Sequence, residues 1–123
     1  MVLDASAIVA LFRSEPTAAS VESAIQQVSS PLFMSSVTLT EVALAGLKIG
    51  TPATKTAAEI EALSVEIVSV DESMAIASAE ARHRFPISFG DSFVYALAKA
   101  RNLPILTLDA EFAKTDAALI PLI

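Results

Sequence analysis

Four carboxylates stand among side chains that call for burial, and any fold open to this chain has to accommodate them. Asp4 closes the apolar opening Met1-Val2-Leu3, and Glu41 interrupts Val37-Thr38-Leu39-Thr40 and Val42-Ala43-Leu44-Ala45. Asp91 follows Gly90 and opens Ser92-Phe93-Val94-Tyr95-Ala96-Leu97, while Asp109 ends Pro104-Ile105-Leu106-Thr107-Leu108. An ionised carboxylate in such surroundings is costly unless something compensates it. Few basic residues lie near these four in sequence. A fold that gathers them sets like charges a few Å apart, and a divalent cation is the simplest remedy. The pattern therefore reads as a hard-metal site built from carboxylates.

The segments between the acids alternate in type. Met1 to Asp4 reads as a short buried strand. Ala5 to Arg13 carries Ile8, Leu11 and Phe12 at helical spacing. Pro16 starts a second helix over Thr17 to Val28. Pro31 to Ser35 reads as a strand, Val37 to Lys48 as an apolar helix ended by Gly50 and Pro52, and Ala53 to Leu63 as an amphipathic helix. Val65 to Val70 alternates apolar and polar residues as a strand does. Asp71 suits the N-cap of a helix to about Arg84. Gly90 to Arg101 is the next helix, stopped by Asn102 and Pro104. Ile105 to Leu108 reads as a strand, Ala110 to Asp116 as a short helix, and Leu119 to Ile123 as a last edge strand. Alternation over one domain, residues 1–123, predicts an α/β fold with a parallel sheet between helices.

In such a sheet ligands bind beyond the C-terminal strand ends, where strand order reverses. Asp4 and Asp109 end their strands, so if those strands are neighbours both carboxylates enter one crevice. Thr107, two residues before Asp109, falls on the same side by the period of two. Asp91 sits in the first turn of its helix, where the dipole favours negative charge. Asp4 and Asp109 also suit helix capping, and Glu41 faces either water or the crevice.

Composition narrows the function. Apolar residues make up 54% of the 123, and mean hydropathy is +0.61, which is high for so small a body and points to broad buried helix faces and a homodimer. There is no cysteine and one histidine, so thiolate metal sites are excluded and histidine-based zinc sites or triads are disfavoured. No apolar stretch approaches the ~20 residues that span a bilayer, and the start lacks a basic signal-peptide region. The expectation is a soluble, cytoplasmic protein. Net charge is −6, so nucleic-acid binding would need a metal and a local basic patch.

The chain resembles PIN-domain ribonucleases, specifically the VapC toxins of toxin–antitoxin pairs. The resemblance is carried by Val2-Leu3-Asp4-Ala5-Ser6-Ala7, by Ser36 to Val42, by Phe89-Gly90-Asp91 through Ala100, and by Pro104 to Phe112. It implies a three-layer α/β/α sandwich with a short, mostly parallel sheet of four to five strands. It also implies carboxylates around Mg²⁺ or Mn²⁺, cleavage of single-stranded or looped RNA, a homodimer and a cognate antitoxin. Carried over by position, Asp4, Glu41, Asp91 and Asp109 are the catalytic acids, with Asp4, Asp91 and Asp109 on the metal. Ser6 and Thr107 match the hydroxyls behind them. Many relatives have Gly-Asp-Asp-Phe where this chain has Asp109-Ala110-Glu111-Phe112, so Asp109 fits the alternative Thr-x-Asp form.

Two side-chain groups are read more openly. Arg82 and Arg84 could hold RNA phosphates or stabilise a helix C-terminus. Tyr95 and Phe93 suit core packing better than base stacking, and Phe12, Phe33, Phe85, Phe89 and Phe112 read as core. Two other classes compete with the nuclease. One is a non-catalytic interaction module of the same fold, and the other a receiver or phosphatase domain. The last lacks its Asp-x-Asp signature, because position 6 is Ser, and no Lys ends the strand at Leu108.

Overall fold

The computed structural model describes residues 1–122. Its elements run β1 (Val2–Leu3), α1 (Ala5–Phe12), α2 (Ala18–Val28), β2 (Leu32–Ser35), α3 (Ser36–Lys48), α4 (Ala53–Ala62), β3 (Val65–Val68), α5 (Glu72–Arg84), α6 (Phe89–Arg101) and β4 (Ile105–Leu106), followed by a 3-10 turn over Ala110–Lys114. The strands form one sheet in the order β3-β2-β1-β4, every pairing parallel. The registers of the central strand are Val2 opposite Phe33 and Val2 opposite Ile105.

The two-residue period of a strand divides the core into two layers. Met1, Leu3, Leu32, Met34 and Leu106 point into a cluster with α1, α2, α3 and α4. Val2, Ile105 and the half-buried Phe33 point the other way, into a cluster with α5, α6 and Phe112. A sheet buried on both faces needs apolar residues at every position, which is what β1 and β4 supply. The result is the three-layer α/β/α sandwich with four strands.

The last segment and Phe89 depart from the sequence reading. Leu119 to Ile123 does not form a strand among the described residues. It contributes one parallel bridge, Ile105 to Leu119, flanked by the Ile105 N–H on the Ala118 carbonyl and the Ile120 N–H on the Ile105 carbonyl, both 2.9 Å. Pro121 has no N–H to extend the ladder, and Ile123 lies outside the described residues. Phe89, expected in the core, is 67% exposed. Ser88 caps α6 by accepting the Asp91 N–H at 3.2 Å, so the helix starts one residue early and Phe89 lies ahead of its buried stretch, Asp91 to Ala98.

Candidate metal centre

Strand order decides where the acids meet. From β1 the chain steps outward to β2 and β3, returns through α5 and α6, and lays β4 on the other side of β1. The order reverses between β1 and β4, and the chain leaves both strands at the same edge. Asp4 follows β1 directly, and its N–H still reaches the Leu106 carbonyl at 3.0 Å. β4 ends at Leu106, earlier than the sequence suggests, so a turn rather than the pleat brings Asp109 to the site. That turn is closed by the Asp109 N–H on Thr107 Oγ1 at 2.9 Å. Asp91 enters from α6, whose buried face packs on β1 and β4.

Asp4, Asp91 and Asp109 each offer a carboxylate oxygen, and the three oxygens all lie within 4.8 Å of one another. Asp4 is 3% exposed, and although it holds the N-cap position of α1 it makes no capping bond. Its Oδ2 instead accepts Ser6 Oγ at 2.7 Å and Thr107 Oγ1 at 2.8 Å. Each of those hydroxyls accepts a backbone N–H in turn, Ser6 from Leu108 at 3.0 Å and Thr107 from Asp109 at 2.9 Å. A hydroxyl has one proton, so accepting the N–H aims that proton at Asp4. Ser6 and Thr107 stand 3.3 Å apart with both protons already given to the same carboxylate. The clamp fixes Oδ2 and leaves Oδ1 outside it. Asp109 does two jobs, since its Oδ1 also caps the 3-10 turn by accepting the Glu111 N–H at 2.9 Å.

Asp91 is compensated least. Its Oδ2 is buried with no hydrogen-bond partner. Burial, then the charges of Asp4 and Asp109, push its carboxyl up to about 8. Glu41 lies outside the group of three but against it. Burial, and then the charge of Asp4, raise its pKa, and its Oε1 is also buried and unpartnered. Gly90 explains how it fits: a Cβ there would stand 2.5 Å from Glu41 Oε2 and 2.7 Å from its Cδ. The space a side chain would fill at position 90 holds the Glu41 carboxylate.

Orphaned carboxylate oxygens beside three converging acids, with no histidine or thiolate among them, suit a hard divalent cation such as Mg²⁺ or Mn²⁺. Asp4, Asp91 and Asp109 are the residues positioned to hold it, with Glu41 at the edge.

The remaining candidates lie apart from this cluster. Arg82 donates to the Ile87 carbonyl, which ties down the loop before α6, and Arg84 lies 4.7 Å over the Phe85 ring. Tyr95 and Phe93 are buried, as core packing requires. Asp71 caps α5 by accepting the Met74 N–H at 2.8 Å. Phe89 is the residue that sequence reasoning misplaced, and its position directly before Gly90-Asp91 was the available signal.

The family model described as PIN domain matches residues 1–118. VapC ribonuclease Mb0640 of Mycobacterium bovis is 33% identical, over 99% of each chain, and the ribonuclease VapC of Mycolicibacterium smegmatis is 33% identical over 98% of this chain and 99% of its own. Among solved structures, VapC20 of Mycobacterium tuberculosis, a sarcin-ricin loop cleaving toxin, aligns with a TM-score of 0.81 at 17% identity over 98% of both chains. A toxin–antitoxin complex from Klebsiella pneumoniae aligns with a TM-score of 0.78 at 18% identity, covering 96% of this chain and 94% of that one. At those identities the structural matches speak for the fold.

Proposed function

This chain belongs to the PIN domain family, and from that membership we propose that it is a metal-dependent endoribonuclease, the toxin of a toxin–antitoxin pair. The observation that carries the reading is the convergence of Asp4, Asp91 and Asp109, three acids from distant segments, within 4.8 Å. A structural role alone gives no reason to leave Asp91 Oδ2 and Glu41 Oε1 buried without partners.

Asp4, Asp91 and Asp109 would hold Mg²⁺ or Mn²⁺, with Glu41 assisting directly or through water. When bound, the ion lowers the pKa of a water and offsets charge growing on the scissile phosphate. Ser6 and Thr107 keep Asp4 from rotating, so its free oxygen stays aimed. Glu41, with its raised pKa, is placed to exchange a proton beside the cluster. The chain's only histidine, His83, lies in the exposed last turn of α5, so cleavage does not depend on histidine acid–base chemistry. Hydrolysis by water leaves a 3′-hydroxyl and a 5′-phosphate. The likeness in fold to the toxin–antitoxin complex from Klebsiella pneumoniae supports an antitoxin partner here. Exposed Leu44, Leu47 and Ile49 at the end of α3 support a second copy of this chain as a further partner.

The test is incubation of purified protein with single-stranded RNA and Mg²⁺ or Mn²⁺. Cleavage that stops with chelator, yields 5′-phosphate ends and disappears in Asp4→Asn and Asp91→Asn is the predicted result. A 2′,3′-cyclic phosphate product, or full activity in both variants, contradicts it.

A further inference from the structure

The chain leaves β4 at Leu106 and rejoins the sheet at Ala118, whose carbonyl accepts the Ile105 N–H at 2.9 Å. Asp109 rides on the excursion between these points. Its hydrogen bonds with Thr107 and with the Glu111 N–H stay within that excursion. Neither fixes its distance from α6, which carries Asp91. The two acids also repel: after burial, the charges of Asp4 and then Asp109 disfavour ionised Asp91. Something else has to hold the excursion against α6.

Asp116, further along the excursion, makes that attachment. Its Oδ1 accepts the Tyr95 hydroxyl at 2.5 Å, and its Oδ2 lies 3.6 Å from Lys99 Nζ. Asp91, Tyr95 and Lys99 recur every four residues, so they form one stripe along α6. The excursion meets this stripe twice, with Asp109 at the Asp91 end and Asp116 at the other. Between them Phe112 is wholly buried, in the cluster that also holds Tyr95. Thr115 stiffens the link. Its N–H and its hydroxyl reach the Phe112 carbonyl at 3.1 and 2.7 Å, and its Oγ1 accepts the Ala117 N–H at 3.1 Å. A shift of Asp116 is therefore passed back to the 3-10 turn that Asp109 caps. A buried phenol needs an acceptor. The acceptor Tyr95 has is on the segment that delivers Asp109, and their bond holds the Asp116 carboxyl below its ordinary value, so it stays ionised at neutral pH.

We propose that Tyr95, acting through Asp116, is a positioning residue for Asp109 and sets the separation of that ligand from Asp91. The inference rests on the metal-site reading above and adds a residue that touches neither metal nor substrate.

The test is Mn²⁺ titration of the native protein and of Tyr95→Phe, which deletes the hydroxyl and keeps the ring on Phe85, with centroids 5.2 Å apart. Tyr95→Phe should weaken Mn²⁺ binding roughly tenfold, the low end for residues that orient metal ligands. Asp116→Ala should weaken it equally, and the double variant no further. Asp116→Asn keeps an acceptor for the hydroxyl and should stay near native affinity. In an Asp109→Asn background, Tyr95→Phe should cost nothing more. Cleavage by Tyr95→Phe should fall at low Mn²⁺ and recover in excess Mn²⁺, with KM for RNA unchanged. Native Mn²⁺ affinity in Tyr95→Phe, whatever its melting midpoint, overturns the proposal and leaves the bond a structural one. A full tenfold loss in the Asp109→Asn background also overturns it, since Tyr95 then acts by a route other than Asp109. A native protein that binds no Mn²⁺ overturns the metal-site reading and the proposal together. One that binds Mn²⁺ but cleaves no RNA sinks the ribonuclease reading alone, and the affinities still decide the role of Tyr95.

Discussion

The carboxylate of Asp4 depends on two hydroxyls far apart in sequence, and Ser6 illustrates what a small polar side chain does there. It takes the Leu108 N–H and returns its proton to Asp4, tying the turn after β4 to the end of β1. Ser6→Ala leaves that N–H unpaired and leaves the Asp4 carboxylate held by Thr107 alone. Losing such a support for a metal ligand typically costs about 10- to 100-fold in metal affinity or activity, so we expect a drop of that size in an otherwise folded protein, read by Mn²⁺ titration and cleavage rate. Asp91 gives a prediction in pH. Its carboxyl titrates at about 8 in the folded, metal-free protein against an ordinary value of 3.8. Between those values the folded state holds the extra proton, so the stabilisation is complete below pH ~4 and is lost as pH rises through 8. The melting midpoint of metal-free protein should decline over that window, and Asp91→Asn should flatten the decline. Metal binding must expel the proton, so affinity for Mn²⁺ should climb toward pH 8. A flat midpoint and a flat affinity would contradict the assignment of Asp91.

At the scale of elements, the sequence marked helices and strands well where hydrophobic period and punctuation agreed. Asp71 announced the start of α5, and the alternation over Val65 to Val70 announced β3, which ends at Val68. Element ends were less legible because hydrogen bonds, not propensity, set them. Ser88 rather than Gly90 begins α6, and Pro121 reduces the last strand to a bridge. Phe89 was read as core from its residue type, whereas its exposure follows from that earlier start. The role of Gly90 was not legible at all, since it depends on Glu41 arriving from α3. Gly90→Ala tests the junction of these two helices. A methyl 2.5 Å from Glu41 Oε2 must push the carboxylate aside, which a flexible side chain allows without unfolding. We predict a stable variant with strongly reduced cleavage, and no further loss when Glu41→Ala is added. Additive losses in the double variant would separate the two residues.

For the molecule as a whole, strand order does what no local motif can. The parallel order β3-β2-β1-β4 sets the ends of β1 and β4 side by side, and α6 brings Asp91 to the same place. The sequence supplied the acids and the condition that their strands be neighbours, and the fold met that condition. The most direct measurement is a crystal of this protein soaked in Mn²⁺ with anomalous data collected. The account predicts one strong peak among Asp4, Asp91 and Asp109, at about 2.0–2.6 Å from their oxygens as for hard divalent cations, absent in Asp91→Asn. Saturating Mn²⁺ with no peak there, or carboxylates turned separately to solvent, would contradict it.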